Sequence, residues 1–301
     1  MSSILPQAGL SGWQLFWLSK TNQRRVNLAV KYILAAFILT FSLIPVIYTI
    51  SSAFNPIQGI SLQVIPNNAS LQNFKQILLD YPFPLWMWNT TKIALISSVL
   101  SAMITTLTAY AFSRFRFAGR GKLLLAILII QVFPALMAMV ALFNLLDQLG
   151  NCCIPALGLN TQAGLIMIYM GYAMGINVWL MKGFFDSIPR EIDESGMIDG
   201  ASDWQRFWIL VFPLARPIVV VVTILTFFIV YSDWILPSLI LHQPETFTLM
   251  MGLELLISNN YNNAWSVFAA GAVLGSLLPV AVYLLLQDQI VGGLTAGSVK
   301  G

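Results

Sequence analysis

Side chains that could carry out covalent chemistry are few and scattered. The single histidine, His242, falls at the expected outer edge of a membrane segment, and no Ser/His/Asp or Cys/His set can be assembled around it. Gly119-Arg120-Gly121-Lys122-Leu123 comes nearest to a phosphate loop. It lacks the first glycine at the required distance and the Ser/Thr after the lysine, so it reads as a basic turn between two helices. ATP hydrolysis, if the protein depends on it, must then belong to another chain. No metal-ligand spacing appears. Cys152 and Cys153 are adjacent, and a disulfide between neighbours needs a strained ring, so they read as two small apolar residues in a loop.

One stretch is different. Six of the twelve acids, Asp186, Glu191, Asp193, Glu194, Asp199 and Asp203, lie between residues 186 and 217. The segment reads as two short helices around a glycine. Ser187 is expected to cap the first, with Pro189 in its first turn. Glu191, Asp193 and Glu194 favour the positive end of its dipole. Gly196 and Gly200 are four apart, so they share a face and leave a shallow patch without side chains. Gly200 is expected to turn the chain where a side chain would strain the backbone or block a close approach. Ser202 and Gln205 form a capping-box pattern that starts a second helix through Trp204, Phe207 and Trp208, and Pro213 is expected to stop or kink it. Such a helix–glycine–helix knob suits docking in a partner's groove. It suits a plain interhelical connection equally well, and these features alone leave both readings open.

The elements that must position this loop are set by composition. The chain is 58% hydrophobic and 9% charged, with a mean hydropathy of +0.79. A soluble domain carries about a quarter charged residues, so most of this surface is expected to face lipid. The net charge of +3 is too small to suggest nucleic acid. Six segments are apolar over the ~20 residues that a spanning helix needs: Tyr32–Phe54, Asn89–Phe112, Leu123–Leu146, Thr161–Phe184, Ile218–Leu241 and Ala264–Gln287. Helices are the only choice, because an open sheet edge could not satisfy its backbone in lipid. Pro45, Pro134, Pro237 and Pro279 interrupt several of them, which is tolerated where neighbours or water re-satisfy the freed groups.

Thirteen of the fifteen basic residues fall on one side of these segments and only Lys75 and Lys92 on the other, so both termini are expected in the cytoplasm. The first long apolar run starts after Lys31 and does not look like a cleaved signal. Leu10, Trp13, Phe16 and Trp17 have the spacing of a short amphipathic helix on the membrane surface. The longest outer loop, Asn55 to about Trp88, is rich in turn residues.

Glu194-Ser195-Gly196-x-x-x-Gly200, followed by Leu210-x-Phe212-Pro213, resembles the E-A-A-x-x-x-G-x9-I-x-L-P signature of bacterial ABC importer permeases. Ser195 and Gly196 replace two alanines, and Leu210 and Phe212 replace Ile and Leu. Trp88-Asn89-Thr90, the stretch "AYAFSRFRFAGR" from Ala109 and the tail "GLTAGSVKG" resemble the carbohydrate branch, in particular the shorter permease of maltose/maltodextrin-type transporters. Ala118 stands where that family usually has proline. The resemblance covers about residues 26–301 and decides for the docking knob.

It implies an all-α membrane protein, a six-helix ABC importer permease bundle in the bacterial cytoplasmic membrane. A cytoplasmic N-terminal segment (1–31), the permease domain (32–287) with its coupling loop (186–217) and a cytoplasmic tail (288–301) would make up the chain. The implied function is that of a non-enzymatic permease in a binding-protein-dependent, ATP-driven sugar importer. Its partners would be a second homologous permease, two ATPase subunits that hold ATP and magnesium, and an external sugar-binding protein. Glu194, Ser195, Gly196, Asp199, Gly200, Ala201 and Pro213 would form the ATPase-coupling element.

Asp233, in Tyr231-Ser232-Asp233-Trp234, is read inside the fifth span. A carboxylate at mid-helix costs ~2.5–3.5 kcal/mol on insertion scales, so it should face protein or water. With Tyr231, Trp234 and Asn89 it makes a candidate sugar pathway; a structural hydrogen bond or ion pair is the other reading. The rival function is an ion-coupled secondary transporter or channel, but such carriers place several ionisable groups at membrane depth or show inverted repeats. One such group and no clear repeat are seen.

Overall fold

A computed structural model of the chain describes residues 20–56, 59, 66, 68–258 and 264–296. The amphipathic stretch expected at residues 10–17 lies outside the described residues. Among those residues every regular element is helical: α1 (Lys20–Ala53), α2 (Gln72–Leu79), α3 (Phe83–Arg114), α4 (Arg120–Val132), α5 (Ala135–Cys152), α6 (Gln162–Ser187), α7 (Glu191–Ile198), α8 (Asp203–Gln205), α9 (Phe212–Ser232), α10 (Ile235–Ile240), α11 (Leu249–Glu254) and α12 (Trp265–Ala296).

Four stretches are straight enough to span a membrane as single rods: Thr21–Ala53, Phe83–Arg114, Asp203–Ser232 and Trp265–Gln289. The other two expected spans are bent. The α4–α5 pair turns by 107° at Phe133–Pro134, and α6 bends by 45° between Tyr172 and Met174. Leu123–Leu146 is therefore not one helix. Proline crowds the residue before it out of helical angles, and Phe133 accordingly sits at φ −69°, ψ 128°.

The fifth span also ends earlier than its hydropathy suggests. It stops at Ser232, and α10 begins after a break at Asp233–Trp234. Asp233 is extended (ψ 131°), and its Oδ1 accepts the Ile235 N–H at 2.9 Å. That carboxylate caps α10, whose Pro237 lies in a first turn where a missing N–H costs nothing.

The centre of the bundle is α3 packed on α6 and α9. Ser97, Ser98, Ser101, Ala102, Thr105, Thr106 and Ala109 make up much of the buried face of α3. Small residues at such a seam let helix backbones approach closely. Large side chains close the two ends: Trp86, Ile93, Phe227 and Tyr231 in one cluster, Tyr110, Phe185, Phe207 and Val211 in the other. Helix α1 lies along α12. Its most apolar window is entirely unburied, as a lipid-facing helix requires. The long outer loop contains α2, held by Asn73, whose amide donates to the carbonyls of Ala53 (2.9 Å) and Asn55 (2.7 Å).

Candidate functional site

The acid-rich loop folds as a knob made of α7, a tight turn and α8. Ser187 does not cap α7. It is the last residue of α6, and its hydroxyl donates to the Phe184 carbonyl at 2.6 Å, because α6 runs three residues beyond Phe184. Arg190 holds the N-cap position without a side-chain capping bond, and Glu191, Asp193 and Glu194 fill the first turn.

Helix α7 ends at a left-handed Gly200 (φ +78°). The Ala201 N–H reaches the Gly196 carbonyl at 2.9 Å, and the Gly200 N–H reaches that of Met197 at 3.1 Å. This pair of bonds is the Schellman closure, which needs a residue free to adopt positive φ. A Cβ at Gly200 would meet no atom within 4 Å, so backbone conformation, not crowding, is what favours glycine. Gly196 is the opposite case: a Cβ there would fall 2.7 Å from Leu210 Cδ1. The expected bare patch is thus covered at Gly196 and open at Gly200.

The Ser202–Gln205 capping box forms with both bonds present. Pro213 does not stop the helix. Arg206–Val211 is π-helical, and the Phe212 N–H reaches back five residues to Phe207. A π segment re-registers the hydrogen bonds just before a residue that has no N–H to offer. The second loop helix and the fifth span are consequently one rod.

Glu194, Ser195, Asp199 and Gly200 are exposed. Around them stand apolar side chains that a solvated loop would hide: Ile198 is 86% exposed, Ile209 66%, Trp204 60% and Met197 58%. A hollow of about 270 Å³ opens between Gly200, Ala201, Gln205 and Ile209.

The underside of the knob is sealed. Arg114, at the end of α3, forms a buried ion pair with Asp193 (Nε–Oδ2, 2.9 Å), and its Nη2 donates to the Ile188 carbonyl at 3.0 Å. The Tyr110 hydroxyl donates to Asp193 Oδ1 at 3.3 Å, and its ring packs on Phe207 at 4.8 Å. Ser113 donates to Asp186 at 2.7 Å. These ties join the knob to α3, which is remote in sequence, as well as to its chain neighbours α6 and α9. Sequence reasoning gave Asp193 to the helix dipole and overlooked Arg114 and Tyr110. Their i, i+4 spacing at the basic end of a span was the one available signal.

The candidate pathway residues Tyr231, Asn89 and Asp233 each have their own hydrogen-bond partners. Tyr231 is buried, and its hydroxyl donates to the Gly275 carbonyl at 2.7 Å. Asn89 is buried too, with its amide donating to the carbonyls of Glu245 (2.9 Å) and Phe247 (3.0 Å). Both are used in packing. Asp233 accepts the Tyr169 hydroxyl at 2.8 Å as well as capping α10, and Trp234 is 44% exposed.

A polar face missed in the sequence lies beside that pair. Gln131, Tyr169, Tyr172, Asn177 and Thr226, with Ile176, Ile229 and Val230, line an open cavity of about 220 Å³. The cysteine reading is corrected: Cys152 and Cys153 are joined in a disulfide. Helix α5 ends between them, and Cys153 leaves helical angles (φ −136°), which turns the two sulfurs together.

Residues 101–294 match the family described as "Binding-protein-dependent transport system inner membrane component". The maltose/maltodextrin transport system permease protein MalG of Vibrio parahaemolyticus is 40% identical over 277 residues, covering 87% of this chain and 92% of that protein. The galactooligosaccharides transport system permease protein GanQ of Bacillus subtilis is 37% identical over 283 residues, 93% and 98% of the two chains. A crystal structure of a bacterial ABC transporter involved in the import of the acidic polysaccharide alginate contains a chain with the same fold. It matches at a TM-score of 0.75 and 24% identity, over 90% of this chain and 98% of that one. An all-helical bundle with a sealed, acid-rich knob and these relatives leads to one assignment: the chain belongs to the inner-membrane permeases of binding-protein-dependent transport systems.

Proposed function

We propose that this chain is a permease subunit of an ATP-driven sugar importer in the bacterial cytoplasmic membrane. It works beside a second, homologous permease, above two ATPase subunits that bind ATP and magnesium, and takes sugar from an external binding protein. The knob carries this reading: an exposed apolar tip rimmed by Glu194 and Asp199, and fastened beneath by a buried ion pair. A loop that only linked two helices would have no use for exposing Met197, Ile198, Trp204 and Ile209 together.

In this reading the tip sits in a groove of an ATPase subunit. Closure of the ATPase pair moves the knob, and the knob moves the bundle between two states. The α3–α6 seam and the ion pair make α3 move with α6 and α9. The names of the relatives, maltose/maltodextrin and galactooligosaccharide permeases, support an oligosaccharide as cargo.

The test is ATP hydrolysis in proteoliposomes. The chain alone should hydrolyse none, and the full complex should respond to sugar-loaded binding protein. Glu194→Lys should weaken recovery of the ATPase subunits with the permease. Turnover by the isolated, homogeneous chain would refute the assignment.

A further inference from the structure

The turn between α5 and α6 carries the Cys152–Cys153 disulfide on open surface. Residues 151–156 are all exposed, and the pair lies among them. No charged residue stands between Asp147 and Lys182 along the chain. The expected orientation puts this turn on the outer side, where disulfides persist. A bond between neighbours closes no chain loop, so it supplies little of the loop-closure stabilisation of a structural disulfide. Exposed disulfides belong instead to the labile class that exchanges with thiols.

The turn ties this bond to the bundle. Its two feet touch, since a Cβ added at Gly150 would fall 2.7 Å from Gly158 Cα. Between the feet, the Cys153 and Ile154 N–H groups both reach the Leu149 carbonyl, at 3.1 and 2.9 Å. Cys153 lies outside helical angles, and a bond to its neighbour's sulfur holds it there. Beyond the feet, the Thr161 hydroxyl donates to the Gly158 carbonyl at 2.7 Å and caps α6 by accepting the Gly164 N–H at 3.1 Å. Asn160, at φ +61°, donates its N–H to the Ile240 carbonyl at 3.0 Å. Its side chain accepts the His242 N–H at 2.7 Å. Ile240 ends α10, the helix that Asp233 caps at its start. The path from the disulfide to α6 and α10 is continuous.

We propose that Cys152–Cys153 is a thiol-exchange site on the outer face, opened by a dithiol, and that opening it slows transport. The transport effect rests on the sugar-importer reading. One thiolate of the dithiol attacks a sulfur of the pair, the Cys152–Cys153 bond breaks and a mixed disulfide forms. The attacker's second thiol then displaces that sulfur and closes the attacker's own disulfide. The pair gains two electrons, and the two protons shed by the dithiol end on the Cys152 and Cys153 thiols. Cys153 is then free to move, and the hold of the turn on Asn160 and α10 weakens.

The test uses right-side-out membrane vesicles that contain the whole importer and are loaded with ATP. Only the vesicles are treated, and the binding protein is added afterwards. A membrane-impermeant maleimide should leave the untreated chain unlabelled, because its two cysteines are joined to each other. After dithiothreitol has acted and been removed, mass spectrometry should find two adducts on the peptide that holds Cys152 and Cys153. Maltotriose or galactotriose uptake should fall about two- to tenfold on reduction, as weakening one hydrogen bond predicts. Reoxidation with oxidised glutathione should restore it. The double variant Cys152→Ser, Cys153→Ser should transport at the reduced level and ignore both reagents. The redox cycle itself is run on one assembled native complex, so it does not depend on the variant assembling.

Absence of adducts after reduction, unchanged uptake with both adducts present, or a double variant that still responds to dithiothreitol would each overturn the site. No uptake of either sugar by untreated vesicles would remove the importer reading and the transport effect with it, while the adducts alone decide whether the pair exchanges.

Discussion

The acid-rich knob and the open cavity beside α6 treat their polar groups in opposite ways. Beneath the knob the polar groups are matched: Asp193 has Arg114 and Tyr110, and Asp186 has Ser113. Around the cavity Gln131 and Tyr172 have no hydrogen-bond partner among the described residues. A matched network resists deformation and transmits force. An unmatched one in a low-dielectric setting waits for a ligand or a neighbouring chain. The same contrast exists within single residues, since Asp233 is matched on both oxygens and borders the open face.

The sharpest way to break the contrast is to unpair the buried ions. Removing one partner of such a pair costs about 3–5 kcal/mol, because the other charge stays buried alone. Arg114→Leu or Asp193→Leu should lower the thermal midpoint of the purified chain and abolish sugar-stimulated ATP hydrolysis. The double variant should be milder than the two losses combined. Additive losses in a double-mutant cycle would mean that the pair is not coupled.

Asp233 comes next. Asp233→Ala deletes the bond from Tyr169 and the α10 cap, each worth about 1.5–3 kcal/mol for a charged acceptor. Asp233→Asn keeps an acceptor oxygen. Uptake by assembled complexes should fall strongly in the alanine variant and modestly in the asparagine one. Equal losses in both would show that charge, not hydrogen bonding, is what matters there.

At Gly200 the expected cost of a β-branched side chain is about 1–2 kcal/mol, from left-handed backbone alone. Gly200→Val should therefore uncouple transport from hydrolysis, while Gly200→Asn, tolerant of that conformation, should retain coupling. If Gly200→Asn fails as badly as Gly200→Val, a partner surface rather than the turn excludes side chains. Tyr110→Phe should show the least effect, under about 1 kcal/mol in thermal stability, since its bond to Asp193 is long.

Local signals carried much of this structure. The Ser202–Gln205 box, the turn at Gly200 and the apolar segments are each set by residues within a few positions of one another, and periodicity and caps report on that range. The bundle's interruptions were harder to read. Pro134 was visible as a break within an apolar run, but hydropathy does not distinguish a kink from a 107° turn. The Ser232 end of the fifth span was hidden because α10 continues the apolar run past Asp233.

The site divides in the same way. Glu194, Asp199 and Gly200 follow from a contiguous signature. Arg114 and Tyr110 reach Asp193 across about eighty residues, a pairing that their own i, i+4 spacing does not report. Tyr231 and Asn89 are tied to α12 and to the Pro244–Thr246 turn, partners far away in sequence that no local pattern reports.

The central claim, that the knob's apolar tip docks on a partner ATPase, has a direct test at Ile198, which is 86% exposed. A photoreactive amino acid at Ile198, irradiated in membranes containing the whole importer, should cross-link to a subunit that binds ATP. Cross-linking confined to lipid or to this chain, with the complex intact, would contradict the account.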